Sequence, residues 1–166
     1  MATLPDEIIL QILSYTDGRT VFTSVSSSSK QLRRCSLTHI ANTILPMTYI
    51  TTLLNLGPGH HRRWFSVNPW IVFCFSHIDL DHPGQAYFRY EHVRPSACTT
   101  IALEKWPHLR AHDKEGQELS WRAMVGRNGS EGKFEGARVL DRADDELWVR
   151  LDWMRMLREY YANEFA

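Results

Sequence analysis

The stretch that most constrains how this chain folds lies at its start: Leu4-Pro5-Asp6-Glu7-Ile8-Ile9-Leu10-Gln11-Ile12-Leu13-Ser14-Tyr15. Pro5 suits the first turn of a helix, where its missing N–H loses no partner and its fixed φ is already helical. Asp6 and Glu7 place negative charge at the positive end of the helix dipole. Ile8, Ile9, Ile12 and Leu13 then form an apolar stripe at helical spacing. Asp17-Gly18 interrupts this helix and permits a second, around Val21 to Val25. Ser28 with Gln31 has the spacing of a capping box for a third. A unit of about forty residues is too small to hide all its apolar side chains within itself. Ile8, Ile9, Ile12, Leu13, Phe22, Val25 and Leu32 therefore need a second surface, either the rest of the chain or a partner.

The order Leu4-Pro5-Asp6-Glu7-Ile8, a break at Asp17-Gly18, a second helix at Val21 to Val25 and Ser29-Lys30-Gln31-Leu32-Arg33 resembles an F-box. This is the three-helix module that docks substrate receptors onto SCF-type ubiquitin ligases. The resemblance spans residues 4–42; many members carry Trp where this chain has Leu32. It implies a non-catalytic subunit that binds a Skp-type adaptor and, through it, a cullin ligase, while the rest of the chain presents a target protein. The residues it assigns to the adaptor are Leu4, Pro5, Glu7, Ile8, Ile9, Ile12, Leu13 and Leu32.

Composition narrows the remaining classes. Lys plus Arg and Asp plus Glu each number 19 in 166 residues, so the formal charge is zero. That balance argues against a nucleic-acid partner, whose affinity rests on basic surface. Hydrophobic residues make up 43%, a globular proportion. No apolar run reaches about eighteen residues, so no membrane partner is expected, and no leader pattern is visible. Cys35, Cys74 and Cys98 are scattered without metal spacing, which fits reduced thiols and a cytoplasmic or nuclear location. No solenoid or propeller repeat is visible, so the target is not readable.

Along the chain, residues 1–45 are expected to form the F-box-like helical module. Residues 46–59 read as a helix and linker, because Met47, Ile50, Leu53 and Leu54 recur at helical spacing before Gly57-Pro58-Gly59. Residues 60–166 form a Trp-rich α+β domain containing all six Trp. Five strands are expected there: Trp70–Phe75, Gln85–Glu91, Thr99–Leu103, Leu119–Val125 and Phe134–Leu140. Asn128-Gly129 suggests that the last two form a hairpin. Leu147, Leu151, Met154, Leu157 and Tyr161 read as one face of a long helix capped by Asp141, with Asp144, Asp145 and Glu146 in its first turn. The expected fold class is thus α+β: a three-helix module, then a small antiparallel sheet covered by a long C-terminal helix.

No motif argues for catalysis. His60-His61 and His77, Asp79, Asp81 and His82 are the densest ligand-type sets. They lack regular zinc spacing, and Pro83-Gly84 makes Asp79 to Gly84 read as a capped turn, so no metal or other cofactor is expected. Glu91, His92, Glu104, His108 and His112 show no pairing by spacing. Cys74 reads as a core thiol in an apolar strand. The Gly126–Gly132 stretch lacks the Lys-Ser/Thr of a phosphate loop. Asn128-Gly129-Ser130 matches a glycosylation sequon but reads as a turn, and Ser26 to Ser29 as a Ser-rich helix junction. The Trp residues are core by default, with Trp64, Trp106 and Trp121 near loops as candidates for target binding. An alternative of a different class is a small self-contained enzyme or ligand-binding α+β domain. Its N-terminal helices would pack on its own sheet, and His77, Glu91 or His92 would point into a pocket under the last helix.

Overall fold

The structure, a computed structural model, describes residues 4–54, 68–104, 106, 119–127, 129–140 and 147–163. The first helix runs Asp6–Leu13 with Pro5 at its N-cap and Asp6 and Glu7 in its first turn. Asp17 caps a second helical run, its side chain accepting from the Thr20 amide. This run comprises an α-turn at Gly18–Thr20, a π-turn at Val21–Val25 and another α-turn at Ser26–Ser28. Its hydroxyls explain how a serine-rich segment stays helical. Thr23, Ser26, Ser27 and Ser28 each donate to the carbonyl four residues earlier. Such back-bonding competes with the amide ladder and loosens a helix. The third helix, Lys30–His39, is capped by Ser29, whose Oγ accepts from the Leu32 amide at 3.1 Å. The cap is therefore Ser29 rather than Ser28, and the expected capping box does not form, because Leu32 stands at its third position and Gln31 is used elsewhere. The helix continues through a π-turn, Ile40–Ile44, and a 3-10 turn, Leu45–Met47.

Seven strands then form one antiparallel sheet: β1 Tyr49–Leu53, β2 Trp70–Ile78, β3 Gln85–Arg94, β4 Trp121–Met124, β5 Glu131–Phe134, β6 Arg138–Leu140 and β7 Trp148–Asp152. Their spatial order is β5-β4-β1-β2-β3-β7-β6. Register shifts at Val72/Phe73 and Phe75/His77 mark irregularities between β2 and β3, where bulges of this kind bend and twist a strand. The C-terminal helix, Trp153–Asn163, follows β7 directly. It reaches the strand at the other end of the sheet: Tyr160 Oη donates to Ser130 O at 2.8 Å, and Asn163 Nδ2 donates to Lys133 O at 3.3 Å. Gly132 on β5 leaves room for the Tyr160 ring, since a Cβ there would lie 2.6 Å from Tyr160 Cδ2.

The core is shared between the N-terminal helices and the sheet. Ile9, Leu13, Val21 and Ile40 belong to the same buried cluster as Ile50, Phe73, Phe88, Leu151 and Leu157. Phe22 packs on Tyr161 with ring centroids 5.8 Å apart, and Gly18 lies under the Tyr161 hydroxyl.

The α+β class is as expected, and several elements differ. Residues 49–53 are an inner strand rather than part of the helix expected within residues 46–59. Ile50, Thr52 and Leu54 are buried while Thr51 and Leu53 are not, a period of two, and the β-branched Ile50-Thr51-Thr52 suits it. Residues 99–104 are helical rather than a strand, launched from the 3-10 turn Ser96–Cys98. The expected strand Phe134–Leu140 is two strands on different partners: β5 pairs with β4 and β6 with β7. A hairpin does form, as β4 and β5, but its second strand, Glu131–Phe134, begins inside the expected loop and shares only Phe134 with the expected strand. The C-terminal helix begins at Trp153, where Asp152 Oδ1 accepts from the Arg155 amide. Residues 148–152 of the expected helix are instead β7, and Asp141, Asp144, Asp145 and Glu146 lie outside the described residues, as do Gly57-Pro58-Gly59.

Candidate functional site

The N-terminal helices present one uncovered apolar surface. On the first helix, Ile9 and Leu13 turn into the core. Its other side carries Ile8, 43% exposed, and Ile12, 53%, and the chain on either side of the helix exposes Leu4 at 57% and Tyr15 at 86%. Ile8 and Ile12, four residues apart, share one face of this helix, while Leu4 precedes its N-cap Pro5 and Tyr15 follows its C-cap Ser14. A scattered exposed Leu is ordinary, whereas a row of large apolar side chains along one helix marks an interaction surface.

The helix carrying this row is held at its N-terminal end. Gln31 Nε2 donates to Leu4 O and to Asp6 Oδ1, both at 2.8 Å, and the Arg34 guanidinium pairs with the other Asp6 oxygen. The Gln31 amide and then Arg34 hold the Asp6 carboxyl below its ordinary value. The third helix thus fixes the direction of the first, and the apolar row is displayed on a rigid element.

Of the residues assigned to a partner, Leu4, Pro5, Glu7, Ile8 and Ile12 are exposed together. Ile9 and Leu13 are buried in the chain's own core, and Leu32 is half-buried against it, so these three are corrected to supporting roles. Tyr15 was missed; it is exposed in the turn that follows the helix, its amide donating to Ile12 O. Trp106 and Trp121 are also corrected. They are 2% and 3% exposed and flank Phe73 at 5.6 and 5.9 Å, so neither offers surface to a target. Trp64 lies outside the described residues, with His60, His61, His108, His112 and Asn128.

The polar candidates do not converge. His77 stacks on Tyr87 with centroids 4.8 Å apart. Asp79 closes a turn instead: its Oδ1 accepts from the Asp81 and His82 amides, and its Oδ2 accepts from the Tyr87 hydroxyl. Burial pushes the Asp79 carboxyl up, and these donors outweigh it to leave the value lowered. Among the described residues no group of three or more His, Cys, Asp or Glu side chains has the placement to hold a metal ion. Cys74 is half-exposed rather than core, with its thiol toward Arg89 O at 3.7 Å.

Glu91 and His92 lie beside a groove of about 430 Å³ on the sheet face opposite the core, together with Tyr49, Thr51 and Arg94. Arg94 Nε donates to His92 Nε2 at 2.8 Å, which leaves the His92 lone pair engaged in the folded chain. This groove is not the pocket expected beneath the C-terminal helix.

No family model, no curated protein and no solved structure matches the chain. Among the described residues, no helix is long and apolar enough to cross a membrane.

Proposed function

We propose that this chain is a non-catalytic docking subunit of F-box type. Its first helix seats on a Skp-type adaptor of an SCF ubiquitin ligase, and the sheet domain carries the surface that receives a target protein. The observation that carries this reading is the exposed pair Ile8 and Ile12, flanked by exposed Leu4 and Tyr15, on a helix whose opposite face is already committed to the core. The chain would then act by proximity, raising the concentration of a bound target near the ligase.

The test is co-expression with a Skp-type adaptor followed by size-exclusion chromatography. A one-to-one complex is expected, lost in Ile8→Asp and Ile12→Asp. Because both positions are exposed, those variants retain their fold, which circular dichroism verifies. A wild-type chain that elutes as a soluble monomer apart from the adaptor sinks the proposal.

A second reading has one observation in its favour. The N-terminal helices share a core with the sheet, as a self-contained enzyme or ligand-binding domain would require. The chemistry would then fall to the groove beside Glu91, His92 and Arg94. The same chromatography separates the readings, since such a domain ignores the adaptor.

A further inference from the structure

A second surface lies on another side of the third helix and owes nothing to the apolar row. The end of the second helical run, the start of the third helix and the C-terminal helix border a groove of about 660 Å³. Lys30, Arg33 and Arg158 line it, and no Asp or Glu does. All three side chains are exposed, and none makes an ion pair among the described residues. The contrast with their neighbours is sharp: Arg34 is paired with Asp6, and Arg155 with Glu159. In a chain with equal numbers of acidic and basic residues, three unpaired cations around one groove form a local excess of positive charge.

The walls supply two further elements. Phe22 and Met154 give the groove an apolar side, which excludes water from one flank of a bound ion and strengthens its attraction to the cations. Ser29 Oγ accepts from the Leu32 amide, so its own proton is left to donate outward. The other wall hydroxyls are engaged with backbone carbonyls. Two guanidinium forks and one ammonium match a dianion with three terminal oxygens better than a single carboxylate, because each fork reaches two oxygens.

We propose that this groove binds a phosphate monoester with an apolar group close to the phosphate, the phosphate oxygens on Lys30, Arg33 and Arg158 and the apolar group against Phe22 and Met154. The monoester is either a phosphorylated side chain of a protein segment or a free organic phosphate; the recognition chemistry is the same. Binding is non-covalent. It strengthens as the pH rises through about 6, where the monoester loses its second proton, and it weakens with salt.

The experiment uses the full chain, with its adaptor if solubility requires it. The probes are a fluorescent phosphoserine peptide with a flanking leucine, its unphosphorylated twin, and phenyl phosphate. Anisotropy is expected to show at least about tenfold preference for the phosphorylated form over its twin, and about tenfold or greater loss in Arg33→Gln/Arg158→Gln. Arg33→Lys/Arg158→Lys, which keeps the charge and loses the forks, is expected to fall between. A peptide that far outbinds phenyl phosphate assigns the source to a protein segment; equal affinities assign it to a free phosphate. Where the chain is soluble without the adaptor, Ile8→Asp leaves both affinities unchanged, which separates this site from adaptor docking. The inference is overturned if neither phosphorylated probe binds better than the unphosphorylated peptide. It is equally overturned if the Gln variant, with an unshifted melting midpoint, binds as wild type does.

Discussion

Gly132→Ala tests whether the C-terminal helix is locked to the far side of the sheet. A Cβ at position 132 would lie 2.6 Å from Tyr160 Cδ2 and 3.0 Å from Cε2. Ordinary contact begins near 3.4 Å, so the ring must retreat by most of an ångström. It has little freedom to do so. Tyr160 is 2% exposed, its ring meets Tyr161 edge-on at 5.1 Å, and its hydroxyl is held by Ser130 O at 2.8 Å. Overpacking of this kind costs about 1–3 kcal/mol, and a strained or lost hydrogen bond adds about 1 kcal/mol. Against this stands a gain of about 0.4–1 kcal/mol from restricting the unfolded chain. The net expectation is a loss of about 1–3 kcal/mol, read as a lower urea midpoint at unchanged slope. Gly84→Ala is the control, because no atom lies within 4 Å of its added Cβ; it is expected to be neutral or slightly stabilising. If Gly132→Ala matches Gly84→Ala, the Tyr160 contact does not hold the helix, and the account of how the sheet is closed fails.

Three further outcomes are expected. Trp121→Ala and Trp106→Ala each lose about 3–5 kcal/mol of stability, as buried aromatic truncations do; a loss under about 1 kcal/mol, the range of surface changes, refutes their place in the core. Ser29→Ala removes the cap of the third helix and lowers stability by about 1 kcal/mol, whereas Ser28→Ala, outside the cap, has a smaller effect in the same urea titration. The Asp6 carboxyl is held below its ordinary 3.8 by Gln31 and Arg34. Its contribution is therefore full above 3.8 and fades as pH falls through the lowered value. The stability gap between wild type and Asp6→Asn should narrow between about pH 5 and pH 2, and a constant gap sinks the clamp.

The first helix was legible because Pro5, the Asp6-Glu7 pair and a 3.6-residue apolar period all indicate the same element. Where the sequence misled, two periods competed over a short run. Met47, Ile50, Leu53 and Leu54 fit a helix, yet the residues actually buried are Ile50, Thr52 and Leu54. Thr52 is fully buried and its hydroxyl donates to Ser120 O, a partner that local pattern does not reveal. From Leu147 to Tyr161 the helical series ran across a strand, and the true start signal was Asp152 capping Arg155. The exposed apolar residues were mostly visible in sequence because they all fall within the one short stretch from Leu4 to Tyr15. The basic groove was not visible, because Arg33 and Arg158 meet only when the C-terminal helix crosses to the N-terminal one.

That crossing gives the third helix two distinct duties. Gln31 and Arg34 face the first helix and fix the apolar row, while Lys30 and Arg33 face the groove beside Met154 and Arg158. If, as proposed, one surface docks on an adaptor and the other binds a phosphate, the two need to be held at a constant relation. The shared core running from Ile9 through Leu157 supplies that rigidity. Loosening the junction without touching either surface therefore separates rigidity from contact. Tyr161→Ala removes the ring on Phe22, leaves Ile8 and Arg33 in place, and lowers global stability by about 3–5 kcal/mol if the core is continuous. Hydrogen exchange then reads the coupling. Amides of the third helix and of β2 should lose protection together, since one cooperative unit opens as a whole. Loss confined to the helices would mean that the N-terminal segment is a separate body resting on the sheet.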